Sequence, residues 1–251
     1  MYQQFRPTNF QVLPPAVKNL LIINGLCFLA SYVLLDRGLF DMSATFGLYY
    51  PTSIHFKPFQ LITHVFMHGS FMHLFFNMFS LWMFGSAIEN YWGPKRFLIY
   101  YAVTALGGGI VYLITKHIEF LEIRNQIGPD ALQEILGNGQ NYLNKHMNFT
   151  EPLLAKANML INIPVVGASG AVFGVLLAFG MLFPNTELMM ILVPVPIKAK
   201  YFVMFYGAAE LFQGIADNPS DNVAHFAHLG GMLFGFILIK IWNKRNRNTL
   251  Y

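Results

Sequence analysis

The sequence predicts an all-α membrane protein, a bundle of six spanning helices with both termini cytoplasmic. Three observations carry that reading. Of the 251 residues, 55% are hydrophobic and only 11% charged, with mean hydropathy +0.46; a soluble domain carries about 25% charge. Six segments approach the roughly 20 apolar residues that cross a bilayer. The basic residues gather at alternate ends of those segments, as topology signals do.

The first segment, 17–35, follows a weakly charged polar stretch without a clean small-residue cleavage site, so it reads as a retained anchor. Residues 36–69 include FKPFQLITHVF, too apolar for a water-facing loop and expected to lie in the membrane interface. The second segment, 70–88, and its approach carry His64, His68, His73 and Asn77. His73 and Asn77 are four apart and share a helix face. The third is 97–115. After it, residues 116–164 form a long insertion on the outer side. Ile118, Leu121 and Ile123 before Gly128-Pro129, and Ala131, Leu132, Ile135 and Leu136 after it, predict short amphipathic helices.

The fourth segment, 165–183, opens with Gly167-Ala168-Ser169-Gly170, and Gly170 with Gly174 makes a small-xxx-small pattern for close helix approach. Next, LMMILVPVPIKAK carries two prolines that argue against a continuous helix. The fifth, 201–216, is short, with Lys198 and Lys200 before it and Asp217 after it. The sixth, 223–242, aligns Ala224, Ala227, His228, Gly231 and Gly235 on one stripe, small except for His228. There is no internal repeat, and the chain reads as one membrane domain over 1–251.

Arg6, Lys18, Lys95, Arg96, Lys198, Lys200, Lys240, Lys244, Arg245 and Arg247 fall at one face, which the positive-inside rule makes cytoplasmic. Asp36, Asp41, Glu119, Glu122, Asp130, Glu134, Glu151, Asp217 and Asp221 fall at the other. The net charge of +4 therefore reads as topology, and no nucleic-acid partner is expected. The single cysteine, Cys27, excludes an intrachain disulfide.

Polar side chains inside a bilayer are costly and mark interior sites. Segments two, four and six all run inward from the outer face. At 1.5 Å per residue, Ser169, His228, His73 and Asn77 then lie roughly 5–10 Å below that face. A serine needs a base to become a nucleophile, and His228 is suited to the task. His73, Asn77 and the Ser169 backbone N–H are donors for a developing oxyanion. With no Asp or Glu expected at that depth, the chemistry reads as a Ser–His dyad.

These residues resemble those of the rhomboid intramembrane serine proteases. The resemblance lies in the set His64, His68, His73 and Asn77, in the GxSG motif Gly167-Ala168-Ser169-Gly170, and in Ala227-His228-Leu229-Gly230-Gly231 followed by Gly235, with Glu89 and Gly93 agreeing further. It implies a rhomboid-like bundle with Ser169 as nucleophile, His228 as base, and His73 and Asn77 in the oxyanion hole. Gly167, Gly170, Phe173 and His68 would support the site. It also implies cleavage of transmembrane protein substrates in contact with lipid, no cofactor or metal, and a site opening to the extracytoplasmic side. A bacterial plasma membrane is the expected location. Three features depart from the family: Phe173 stands where many members have tyrosine, residues 36–69 contain no Trp, and the insertion 116–164 is longer than in the minimal form.

Two rival readings exist. His64 and His68 form an HxxxH box like those of iron-binding membrane enzymes, opposed by the scarcity of histidines and carboxylates near it. A catalytically inactive relative that binds transmembrane clients is opposed by retention of both Ser169 and His228.

Overall fold

A computed structural model describes residues 10–189, 195–216 and 223–248, with side chains as far as 244. Arg6, Asp217 and Asp221, and the side chains of Arg245 and Arg247, lie outside the described residues. The chain forms α1 (Pro15–Asp36), α2 (Met42–Phe46), α3 (Gln60–Thr63), α4 (Phe71–Ser80), α5 (Ser86–Trp92), α6 (Pro94–Arg124), α7 (Pro129–Asn144), α8 (Pro152–Asn162), α9 (Ser169–Leu182), α10 (Ala199–Ala216) and α11 (His225–Asn248). A π-type turn at Leu81–Gly85 joins α4 to α5, making one apolar stretch, Phe71–Trp92. Strands β1 (Glu187–Met189) and β2 (Pro196–Lys198) pair antiparallel, so the proline-bearing linker folds back on itself instead of continuing a helix.

Among the described residues, four helices are long and apolar enough to cross a membrane: α1, Phe71–Trp92, α6 and α11. They carry outward-facing apolar side chains such as Ile22, Leu26, Phe76 and Ile237, as a lipid solvent permits. The fourth and fifth expected segments are shorter. α9 has 14 residues, about 21 Å of helix, and α10 has 18.

α6, α9 and α11 form the centre of the bundle. Its core includes Leu81, Phe97, Tyr100, Val175 and Ala178, with Val17 of α1 packed against it. α9 is apolar throughout, so its burial follows from its position between the other two. α10 lies against this core along a narrow face. Its buried residues are Ala199, Val203 and Glu210, whereas Met204, Phe205, Phe212 and Ile215 are exposed.

The sequence boundaries need two corrections. The fourth helix begins at Ser169, four residues later than expected, because Val165 pairs in extended form with Leu48. α6 does not stop at Thr115 but runs to Arg124, so Ile118, Leu121 and Ile123 continue a spanning helix and form no separate one. Phe120 and Ile123 at its far end join Ile135, Ala157, Leu160, Ile161 and Tyr50 in a second small core. The insertion is thus a packed helical cap. Within it Glu134 accepts hydrogen bonds from the Tyr142 hydroxyl and the Asn138 amide, which hold its carboxyl below the usual range.

Arg96 lies in the first turn of α6, and Lys240 and Lys244 lie in the half of α11 away from His228. At the basic end, Arg96 stacks over the Trp242 ring at 4.2 Å, and Trp92 meets Trp242 edge-on. Here too the first turn of α1 is held by Glu89 on α5. Its two carboxylate oxygens accept from the backbone N–H groups of Ala16 and Val17, at 2.9 and 2.8 Å. Glu89 is 2% exposed, and the first N–H groups of any helix lack internal acceptors. We expect Glu89→Ala to cost about 3 kcal/mol, the loss of two charge-assisted bonds, read as a lower melting temperature in detergent.

Candidate active site

Ser169 is the first residue of α9. Its backbone N–H is therefore among those that helix geometry leaves without an internal acceptor, at the positive end of the helix dipole. The side chain points to α11, where the Ser169 Oγ lies 2.8 Å from His228 Nε2. The Phe173 ring, one turn along α9, stacks on the His228 imidazole, with centroids 4.1 Å apart and planes within 4°. Tyr206 of α10 packs against Phe173 at a tilt. His228 is thus fixed by a stacked ring and by a hydrogen bond at each nitrogen.

That second bond overturns the expectation that no carboxylate lies at this depth. Glu210 Oε2 is 2.8 Å from His228 Nδ1 and 2.7 Å from His225 Nδ1, and all three side chains are buried. Glu210 was open to detection. It lies six residues before the end of the fifth segment, about 9 Å at the helical rise, inside the depth band of the other polar groups. A lone carboxylate in a spanning helix is itself a site signal.

The glycines bring α9 and α11 together. A Cβ on Gly231 would collide with the Gly170 carbonyl oxygen, and one on Gly170 would meet the Ala227 carbonyl at 3.2 Å. Gly174, the other member of the small-xxx-small pair, packs on Thr104 of α6 and not on α11. Gly108 of α6 completes the contact, with the Ala227 carbonyl 2.8 Å from its notional Cβ.

Gly167 and His73 meet on the other side of the serine. Gly167 has φ +130°, a conformation side chains rarely adopt, and donates its N–H to the His64 carbonyl at 2.9 Å. A Cβ there would lie 2.7 Å from both Cε1 and Nε2 of His73 and 3.7 Å from Ser169 Oγ. His73 therefore borders the serine across a glycine. Asn77, one turn further along α4, is buried and its amide donates to the His73 carbonyl at 3.0 Å. His68 is buried, packs edge-on to His73 at 5.2 Å, and has no hydrogen-bond partner at either nitrogen among the described residues. A cavity of about 10 Å³, room for roughly one water, lies beside Ser169 between His64, Gly109, Val166, Gly170 and Ala227.

A family model described as the Rhomboid domain matches residues 55–121 and 133–245. The chain belongs to the rhomboid family. Among curated relatives, it is 26% identical over 195 residues to Rhomboid protein 1, mitochondrial, of Saccharomyces cerevisiae, covering 76% of this chain and 45% of that protein. It is 29% identical over 172 residues to RHOMBOID-like protein 12, mitochondrial, of Arabidopsis thaliana, covering 68% and 42%. Over 62 residues it is 34% identical to Rhomboid protease GlpG of Klebsiella pneumoniae, covering 25% and 22%. The chain spans less than half the length of each.

In this rhomboid, the histidine box read from the sequence does not form a ligand set. His64 Nδ1 is 2.8 Å from the Gln60 carbonyl, and among the described residues the group with metal-ligand spacing is Glu210, His225 and His228. A metal there would take Nδ1 of His228 and leave Nε2 protonated, unable to receive the Ser169 proton. Metal binding by this trio and base action by His228 exclude each other.

Gly167→Ala makes a local test of the site. The new methyl is strained by φ and collides with the His73 ring. We expect a loss of about 2 kcal/mol in stability and at least a tenfold fall in fluorophosphonate labelling of Ser169, followed by gel fluorescence.

Proposed function

We propose that this rhomboid-type membrane protein is an intramembrane serine protease that hydrolyses peptide bonds in or beside transmembrane segments of other membrane proteins. The observation that carries the reading is the 2.8 Å pairing of Ser169 Oγ with His228 Nε2. His228 removes the hydroxyl proton as Oγ attacks the scissile carbonyl, then returns it to the leaving amine. The oxyanion falls to the Ser169 N–H, the His73 ring and the Asn77 amide. Gly167, Gly170, Phe173 and His68 shape the pocket, and no cofactor takes part.

In this reading the chain is a single domain of six spans, α9 and α10 being the fourth and fifth. Both termini are cytoplasmic, and the site opens to the opposite, extracytoplasmic side under the cap. The separation of basic residues from the site supports that orientation. Mitochondrial names on the yeast and Arabidopsis relatives count against the expected bacterial plasma membrane. The location kept is therefore an integral membrane position with the site away from the basic loops.

Co-expression with a panel of tagged single-span membrane proteins tests the function, with Ser169→Ala as control. Cleavage of at least one by wild type and not by the variant is expected. Capture of panel members without any cleavage would replace the protease with a client-binding protein.

A further inference from the structure

Glu210 projects from α10, an element otherwise dressed for lipid, and reaches the nitrogen of His228 opposite the one that meets Ser169. Burying a carboxylate is costly unless it is well paired, and here a single oxygen, Oε2, serves two imidazoles, at 2.8 and 2.7 Å. We propose that Glu210 is a positioning residue that turns the Ser169–His228 pair into a Ser–His–Glu relay, with His225 anchoring the carboxylate. This proposal rests on the protease reading above.

The chemistry follows from hydrogen-bond inventory. An ionised carboxylate only accepts, so beside Glu210 each imidazole must present Nδ1–H. Neutral His228 then has its lone pair on Nε2, the atom facing the Ser169 hydroxyl. Without the carboxylate, either tautomer is available, and the one with Nε2–H cannot act as base. When His228 takes the serine proton, the imidazolium sits against a negative charge that stabilises it, and no proton need pass to Glu210. His225 donates to the same oxygen from the first turn of α11, one turn before His228, with the two rings 6.4 Å apart. The anchor and the base therefore ride on one helix, so the carboxylate is held in register with the ring it orients.

Glu210→Gln keeps shape and burial but presents an amide to Nδ1, which can donate and so favour the wrong tautomer. The test measures kcat and KM for cleavage of a tagged single-span substrate. We expect kcat to fall at least tenfold, and by as much as about 10⁴-fold, the loss seen when a triad carboxylate becomes an amide elsewhere, with KM within threefold. A smaller fall in kcat, or a change confined to KM, overturns the proposal. Treatment with a chelator should leave wild-type rates unchanged; loss of activity restored by zinc would overturn it in favour of a metal at the same trio.

A second measurement needs neither turnover nor a variant. Nitrogen NMR of wild-type protein with labelled histidine, at a pH where His228 is neutral, should show its Nδ1 protonated and Nε2 bare. Predominance of the Nε2–H form overturns the proposal. If wild type cleaves nothing and takes no fluorophosphonate, the protease reading fails, while the tautomer still decides whether Glu210 orients the ring.

Discussion

If the protease reading holds, Ser169→Ala should leave a folded protein that takes no fluorophosphonate and turns over substrate on the order of 10⁶-fold more slowly, the scale of losing a serine nucleophile. Labelling of detergent-purified protein measures this directly, and labelling equal to wild type would remove Ser169 from the chemistry. Folding should survive for local reasons. The hydroxyl is hydrogen-bonded to His228, a contact worth about 1 kcal/mol. Alanine is the strongest helix former, and it replaces serine at the first residue of α9. The change should move the melting temperature little. A large drop in melting temperature would mean that the hydroxyl serves packing.

Gly231→Ala should do the opposite, damaging structure first and chemistry through it. The added methyl lands on the Gly170 carbonyl oxygen, which is backbone and cannot rotate aside. α9 and α11 must separate. Overfilling a packed interior costs about 1–3 kcal/mol, and the upper end applies where the obstacle is main chain. Gly231 lies three residues after His228 on the same helix, so the shift reaches the base, and a misplacement of about 1 Å can cost 10²-fold in rate. We expect a clear fall in melting temperature together with at least a 10²-fold slower labelling rate. Gly25→Ala is the matched control. A Cβ there meets nothing within 4 Å, and within α1 alanine should be neutral or stabilising. If Gly231→Ala behaved like Gly25→Ala, the close approach of the two helices would be wrong.

Much of this site is legible in the sequence because its signals are local. The spacing of His73 and Asn77, the small residues around Ser169 and the stripe below His228 each declare a helix face, and membrane direction places those faces at one end. Phe173 could be placed against His228 only through the family resemblance, since nothing in its spacing names a partner on another helix. Glu210 escaped for a different reason. Carboxylates at segment ends read as topology signals, and this one stands inside a segment with no local motif to name its partner on another helix. The late start of α9 depends on Val165 pairing with Leu48, more than a hundred residues away. α6 outruns its apolar stretch because a helix needs only hydrogen bonds to continue, and Lys116 and Glu119 pair on its surface as it does so.

The glycine contact between α9 and α11 also bears on entropy. A Leu or Ile side chain gives up about 0.5–1 kcal/mol of rotamer freedom when it is packed, and glycine gives up none. Glycine's own penalty is backbone freedom, but a helix inserted in lipid has already surrendered it before meeting a neighbour, since every backbone polar group there must be satisfied within the helix. Association along this line therefore orders almost nothing further. Ser169 and His228 sit on the part of the bundle whose docking is least opposed by lost motion, so warming should loosen α10 and the cap well before it parts the two residues.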